Sequence, residues 1–540
     1  MPDPAAPRPI PAVLDDSLIL PNLLRTRAAR TPHHVFSRDV NGDERDYATM
    51  LENTLAYASY FQEQGVERDE IVATFLPASH AALEIWMGIT WAGGIEAALN
   101  RAYRHQLLAD VLNDTTARVV VTTQDFLPTL AEVSGNLEHI QRIILIDAHE
   151  QVRSPVEGWV CVPAADAHHH PHDEDALVRP SLESTACILY TSGTTGPSKG
   201  VVMPWAQLLE TGRTIVPTEH MDETDVFYSP YAPCHITGKA YFYSMMLLGG
   251  GYVLRPQFKT SEFWSDIRRF GATSTLLQGA MAHFLWNAPE TEDDAITSLS
   301  KVIIAPVIAE VEAFEERFGV AVGTVYNMTE LSCPLMSDGW VNDGRGSCGT
   351  PRPGVTARLV DEFDREVSAG DVGELVVRHD DPWTMTTGYL GRAEATVTAT
   401  RNQWFHTGDT FYQDAEGRYF FVDRKKDSIR RRGENISSAE IEREVRQYPG
   451  VREVAAIAAP SEFGEDEVRL IVVPEGADVV HPEQLFDFLK SRLAGYMLPY
   501  YIDLVETIPK TETQKVQKNL LRGLPISDST WRRPARLPQQ

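Results

Sequence analysis

The sequence predicts an α/β fold: a large N-terminal domain of layered α/β subdomains with a β-rich part, followed by a small C-terminal α+β domain. Three observations predict it. The chain has 540 residues, 43% of them hydrophobic, which is more than one core usually organises. Short apolar runs alternate with amphipathic segments as far as Val325, the pattern of sheets covered by helices. A charged run, Asp423 to Glu434, then separates this region from a compact β/α pattern of about 110 residues, long enough to fold as a small domain.

Leu20–Arg30 and Tyr47–Gln64 carry apolar residues at helical spacing. Glu70–Leu76, Arg118–Thr122 and Ile143–Ile146 read as buried strands, with a helix at His80–Trp91 between the first two. This alternation calls for substantially parallel sheets. The polar, His-rich stretch Asp166–Asp175 reads as a loop. A strand at Ala186–Tyr190 leads into a loop rich in Gly, Ser and Thr. From Gly346 to Tyr419 turn residues cluster, and Thr356–Val360 and Gly373–Arg378 look like antiparallel strands. The last region reads as helix Ser438–Gln447, strands Glu453–Ala459 and Glu467–Val473, and helix Pro482–Leu493. The domains expected are residues 1–425 and 426–540, and no internal repeat is present.

With 49 basic and 76 acidic residues, the chain has a formal net charge of −27. Such a surface repels nucleic acid and anionic lipid. Any polyanion it binds needs a local concentration of basic side chains. The five cysteines are odd in number and none sits at CxxC spacing, which fits a reducing, cytoplasmic setting. The Pro-rich start, Met1 to Pro11, lacks a signal-peptide pattern. No stretch of about 20 apolar residues is present to span a membrane. The adjacent His168, His169 and His170, with His172, do not have a recognised zinc spacing.

The segment Tyr190 to Gly200, YTSGTTGPSKG, is the most informative. Gly193, Gly196 and Gly200 let backbone N–H groups approach phosphate oxygens. The hydroxyls of Thr191, Ser192, Thr194 and Thr195 can donate to the same oxygens, and Lys199 adds a positive charge. It is not a Walker A loop, which places Gly-Lys-Ser/Thr directly before a helix. A plain surface turn explains neither the clustered hydroxyls nor the lysine after a buried strand.

This segment resembles the signature loop of the adenylate-forming, AMP-binding superfamily, and further motifs follow in that family's order. Tyr326-Asn-Met-Thr-Glu330 resembles the motif whose Thr329 equivalent touches the α-phosphate and whose Glu330 equivalent holds magnesium. Ile303-Ile-Ala-Pro306 occupies the adenine-binding segment, with Ala305, Pro306, Tyr326 and Asn327 around the nucleotide. Thr407-Gly-Asp409 and Arg424 match ribose-contacting positions, and Lys426 matches the hinge between domains. Pro509 to Lys515 resembles the motif carrying the adenylation lysine. Gly433 matches the glycine that lets the thiol arm pass. His235, in Pro233 to Gly238, matches an aromatic or His position that closes the acid pocket; the alternative is a core histidine. The resemblance covers roughly residues 20 to 525. FEERFG at Phe314–Gly319, with Phe421–Arg424 and Gly433–Asn435, is nearest in texture to the crotonobetaine/carnitine-CoA ligase branch.

The resemblance implies ATP, magnesium and coenzyme A as the small molecules handled. A carboxylate attacks the α-phosphate of ATP, giving an acyl-adenylate and pyrophosphate. Two anions must meet, so the site must neutralise charge. Lys515 would bring carboxylate and α-phosphate into line. The basic cluster Arg424, Lys425, Lys426, Arg430, Arg431 and Arg432 would meet coenzyme A phosphates, or be a solvated linker. The expected partner is a small-molecule acid, with no nucleic acid and no membrane span; self-association as a homodimer stays open.

Four positions depart from the family pattern. Asn327 stands for the usual Gly of the magnesium motif, beside the acid pocket. The adenine segment is more apolar than the usual Gly-Gly-Ala-Pro. Gln514 replaces a Gly before the lysine, at a cost of about 1 kcal/mol if a positive φ is required. Pro204-Trp205 replaces a common Thr-His pair. Beside an acyl- or aryl-CoA ligase, three readings therefore stay open: a natural-product ligase that passes its adenylate to an amine or carrier protein, an enzyme that activates nitrite to diazotise an aryl amine, and a non-catalytic nucleotide-binding module.

Overall fold

Helices and strands form where the apolar periodicity places them, within a residue or two at most ends. The computed structural model describes residues 14–533 except 192–197, 344, 425–428, 432–433, 437, 461–465, 477–478, 491, 494, 496 and 512–513. Helix Leu20–Arg30 has its expected ends. Helix Tyr47–Glu63 starts after Asp46, whose carboxylate accepts the Thr49 N–H at 2.7 Å. Ser79 caps helix His80–Ala92 in the same way, through the Ala82 N–H at 3.2 Å. Both caps satisfy amides that the first turn leaves without partners. Gly93, at φ 97°, ends the second helix in a left-handed conformation that glycine adopts without strain.

The chain divides into two compact units: Met1–Thr191, Ser198–Thr356 and Arg378–Gln403 form the first; Ser192–Pro197, Ala357–Val377 and Trp404–Gln540 form the second. The first unit is built on a seven-stranded and an eight-stranded sheet. The seven-stranded sheet is parallel, from Ala321–Gly323 at one edge through Lys301–Ala305, Ser274–Gln278, Val226–Ser229 and Gly251–Leu254 to Val35–Asp39; Glu44–Asp46 adds an antiparallel edge. The eight-stranded sheet is parallel from Thr185–Thr191 through Ile95–Ala98, Ile71–Phe75, Val119–Thr122 and Arg142–Leu145 to Val160–Pro163. Beyond Thr185–Thr191, the strands Lys199–Pro204 and Gly388–Tyr389 add antiparallel pairs. A core containing Trp86, Trp205, Phe227, Tyr241 and Leu254 joins the helices and strands of both sheets. Trp86 and Trp205 stack with centroids 5.4 Å apart.

The second unit carries most of a four-stranded sheet of Val355–Val360, Gly373–His379, Phe405–Gln413 and Tyr419–Arg424, in which the last three strands pair antiparallel. It also contains a sheet of Val451–Pro460, Asp466–Pro474, Tyr501–Leu504 and Trp531–Arg532, covered by helices Ser438–Arg446 and Pro482–Leu489. Helix Pro482–Leu489 stops four residues before the expected Leu493. Leu493 and Met497 remain buried in the following loop, so the apolar pattern outlasts the helix. Asp423 bridges the two parts: one carboxylate oxygen accepts both the N–H and the hydroxyl of Ser438, each at 2.7 Å.

Candidate active site

In the first unit, strand Thr185–Thr191 enters the phosphate loop and strand Lys199–Pro204 leaves it, with Thr191 opposite Lys199. The expected phosphate contacts Ser192, Gly193, Thr194, Thr195 and Gly196 lie outside the described residues. Strand Gly388–Tyr389 pairs with the exit strand and sets Tyr389 opposite Val201. This brings Lys199 Nζ to 4.7 Å from the Tyr389 ring centroid. The Tyr389 hydroxyl donates to Glu330 Oε1 at 2.9 Å. In the same segment the Thr386 N–H donates to the Glu330 carbonyl, also at 2.9 Å. Glu330, 7% exposed, is therefore held at both backbone and side chain.

The turn around Glu330 is held from several sides. Gln207 Nε2 donates to the Thr329 carbonyl at 2.9 Å. Arg352 Nε donates to the Ser332 carbonyl at 2.9 Å, and its Nη1 lies 2.6 Å from Glu210 Oε1. Burial lowers the Arg352 pKa despite that carboxylate. Asn327 turns its side chain back into its own loop, where Oδ1 accepts the Cys333 N–H at 3.2 Å. Cys333 sits at φ 41°. Tyr326 pairs with Leu335. Strand Lys301–Ala305 delivers Ala305 and Pro306, and the Thr324 hydroxyl ties the Ile304 carbonyl to this region at 2.9 Å.

His235 stands at the start of helix Ile236–Leu248, and its Nε2 lies 3.5 Å from the side-chain amide nitrogen of Asn100. Burial lowers its pKa, so the imidazole is neutral at pH 7. One helical turn on, Lys239 is fully buried: its Nζ is 2.6 Å from Glu96 Oε2 and 3.6 Å from the Trp86 ring centroid. The other Glu96 oxygen accepts the Thr74 hydroxyl at 2.7 Å.

In the second unit, Thr407, Gly408 and Asp409 form a tight feature of strand Phe405–Gln413. The Thr407 hydroxyl donates to the Leu375 carbonyl at 2.7 Å and accepts the Asp409 N–H at 3.1 Å. The Gly408 N–H donates to Glu374 Oε1 at 3.1 Å. Asp409 lies directly opposite Arg424 across the strand pair. Lys515 is exposed on a turn closed by the Thr511 N–H donating to its carbonyl at 2.7 Å and its own N–H donating to the Thr511 hydroxyl at 3.1 Å. Gln514 has φ 59°: the geometry that glycine would adopt freely is retained. Lys426, Gly433 and Arg432 lie outside the described residues.

Sequence reasoning missed Tyr389, Gln207, Arg352 and Glu210. A Gly-Tyr pair after two threonines was a weak signal for Tyr389; the other three act from far along the chain and left none. A buried carboxylate with a hydroxyl donor suits magnesium, which takes oxygen ligands and is commonly held by one or two carboxylates together with substrate phosphates.

A lysine and a carboxylate brought together where an antiparallel pair leaves a Gly/Ser/Thr loop is the arrangement of an adenylate-forming enzyme, similar to acyl-CoA synthetases. The chain belongs to the AMP-binding enzyme family: that family's model matches residues 24–390, and the AMP-binding enzyme C-terminal domain matches residues 440–515. It is 28% identical over 494 residues to the crotonobetaine/carnitine–CoA ligase of Proteus mirabilis, covering 88% of this chain and 92% of that one. The corresponding ligase of Citrobacter koseri is also 28% identical, over 485 residues, with the same coverage. The crystal structure of ATP-bound MatB from Rhodopseudomonas palustris superposes with a TM-score of 0.81 at 25% identity, covering 93% of this chain and 98% of that one. Among the described residues, no helix is long and apolar enough to cross a membrane.

Proposed function

We propose that the enzyme activates a carboxylic acid with ATP, forming an acyl-adenylate and pyrophosphate, and then transfers the acyl group to coenzyme A in the cytoplasm. The observation that carries this reading is the Lys199–Tyr389–Glu330 arrangement beside the phosphate loop. Bound magnesium supplies positive charge to the triphosphate. Glu330 holds it, Thr329 and the loop hydroxyls orient the α-phosphate, and Lys199 faces the outer phosphates. Asp409 and Arg424 take the ribose hydroxyls, and Ala305, Pro306 and Tyr326 flank adenine. Lys515 bridges carboxylate and α-phosphate in the first half-reaction. Lys426 is the hinge of a lid comprising residues 426–540, and Gly433 lines the path of the thiol. Neutral His235 closes the acid pocket without adding a charge. Similarity to two curated CoA ligases supports coenzyme A as the acceptor.

Asn327 favours a second reading, because it stands where the resemblance implies a glycine, with its Oδ1 accepting the Cys333 N–H. On that reading the adenylate passes to an amine or a carrier protein, or nitrite takes the place of the acid. One experiment separates them: an acid panel, and nitrite in place of the acid, with ATP and magnesium, each with coenzyme A, with an aryl amine, or with neither, followed by mass spectrometry. An acyl-CoA with matching AMP is the expected product. ATP turnover indifferent to coenzyme A, with an amide or diazonium product, would replace this reading with the second.

A further inference from the structure

We propose that Tyr389 is a positioning residue for the metal-holding carboxylate, and that it couples Glu330 to the phosphate-loop lysine. The inference rests on the reading of Glu330 given above, and adds a residue that the motifs do not assign. Tyr389 touches both charged groups. Its hydroxyl donates to Glu330 Oε1 at 2.9 Å, and the face of its ring lies 4.7 Å from Lys199 Nζ.

The backbone makes this placement rigid. Tyr389 pairs with Val201, and the Leu390 N–H donates to the Gly200 carbonyl at 2.8 Å, so the segment is laced to the strand leaving the phosphate loop. The Tyr389 N–H donates to the Thr396 hydroxyl at 2.9 Å. Gly388, at φ 137°, leaves no room for a side chain: a Cβ there would lie 2.7 Å from the Thr396 methyl. On the other side, the Thr386 N–H donates to the Glu330 carbonyl. One short segment therefore touches the lysine, the carboxylate and the backbone of the carboxylate's turn.

Two consequences follow from this geometry. A phenol donating to one carboxylate oxygen removes the freedom of Glu330 to rotate away, which is preorganisation. An ammonium over the ring face is held near the phosphates by attraction to the ring without being neutralised. The hydroxyl and the ring act on different groups, so two substitutions separate them. Tyr389→Phe removes the hydrogen bond and keeps the ring. Tyr389→Leu removes both.

The test measures magnesium-dependent binding of a non-hydrolysable ATP analogue by calorimetry, without acid or coenzyme A, and pyrophosphate exchange over a magnesium titration. Thermal unfolding and circular dichroism check that each variant is folded. Tyr389→Phe should raise the magnesium concentration needed for half-maximal analogue binding by about tenfold, the order expected for losing a hydrogen bond to a charged group. Tyr389→Leu should in addition weaken analogue binding at saturating magnesium. Because the hydroxyl acts through Glu330, Tyr389→Phe should have little further effect once Glu330→Gln is present. An unchanged magnesium titration in Tyr389→Phe, or a full additive effect in the double variant, would overturn the proposal. If Glu330→Gln itself leaves magnesium dependence unchanged, the reading of Glu330 fails first and the Tyr389 proposal falls with it. A shift in Glu330→Gln without one in Tyr389→Phe removes only the proposal. A Tyr389→Phe chain that does not fold also overturns it, since it makes the hydroxyl a stability element.

Discussion

Arg352→Ala tests how the Glu330 turn is held. Arg352 is 5% exposed and Glu210 7% exposed, with 2.6 Å between Nη1 and Oε1. Removing one member of a buried ion pair costs about 3–5 kcal/mol, because the other charge stays buried without compensation. Glu210 keeps a second cation, Arg213, whose Nη1 is 3.0 Å from Oε2, which puts the cost near the lower end, about 3 kcal/mol. The lost bond to the Ser332 carbonyl then frees the turn carrying Thr329 and Glu330. Urea unfolding followed by fluorescence is the assay, since Trp86, Trp91 and Trp205 are all buried in this unit. At a slope of about 3 kcal/mol per molar, the midpoint should fall by about 1 M. Arg352→Met with Glu210→Leu should recover most of that stability, since an apolar pair of similar volume avoids the desolvation cost. It should not recover adenylation, because the Ser332 carbonyl still lacks its donor. A loss below about 1 kcal/mol in Arg352→Ala would refute the account of this pair as a buried anchor.

Lys515→Ala should lower acyl-adenylate formation by roughly 10²–10³ while leaving thioester formation from supplied acyl-adenylate nearly intact; equal loss in both half-reactions, measured by pyrophosphate exchange and single-turnover acyl transfer, counts against its assigned role. Gln514→Gly should strengthen the turn before Lys515 by up to about 1 kcal/mol, and Gln514→Val should loosen it, because φ 59° strains side chains and β-branched ones most; native-state hydrogen exchange at Gln514 and Lys515 reads this, and reduced protection in the glycine variant contradicts it. His379 gives a pH prediction. Burial, reinforced by the nearby Arg352 charge, pushes its pKa down from 6.5 to about 3. The unfolded chain takes up a proton at this residue before the folded chain does, so its contribution is complete above pH 6.5 and is lost as the pH falls toward 3. The urea midpoint of His379→Phe should depend less on pH across that window than the wild type's, and equal slopes would refute the assignment.

The alternation of apolar runs was sufficient to place the sheets and helices of the first unit, because burial there follows periodicity alone: helix Leu20–Arg30 has its expected ends, and strand Ile71–Phe75 lies within the expected Glu70–Leu76. Motif order was sufficient for the family. The strain at Gln514 was also legible, since a residue standing where a glycine is expected inherits that glycine's backbone angle. The supports of the site were not legible. Gln207, Glu210 and Arg352 reach the Glu330 turn from more than 100 residues upstream and from 20 residues beyond Ser332. Nothing local marks such residues, because each looks like an ordinary polar side chain until the fold closes. Tyr389 has the same status: its meaning comes from the strand pairing with Val201.

Asn100 and Glu96 lie four residues apart in sequence, as do His235 and Lys239, and each forms a polar rung with its counterpart: Glu96 with Lys239, Asn100 with His235. The two rungs work as a vernier. A single residue inserted or deleted between His235 and Lys239 rotates Lys239 by about 100° relative to His235 and strips the buried Glu96 of its cation, whereas a substitution that keeps the count disturbs at most one rung. Side chains beside the two rungs can therefore be exchanged without shifting the register, whereas a change of length between His235 and Lys239 shifts it, and natural variants should keep that interval together with the buried Glu96–Lys239 pair.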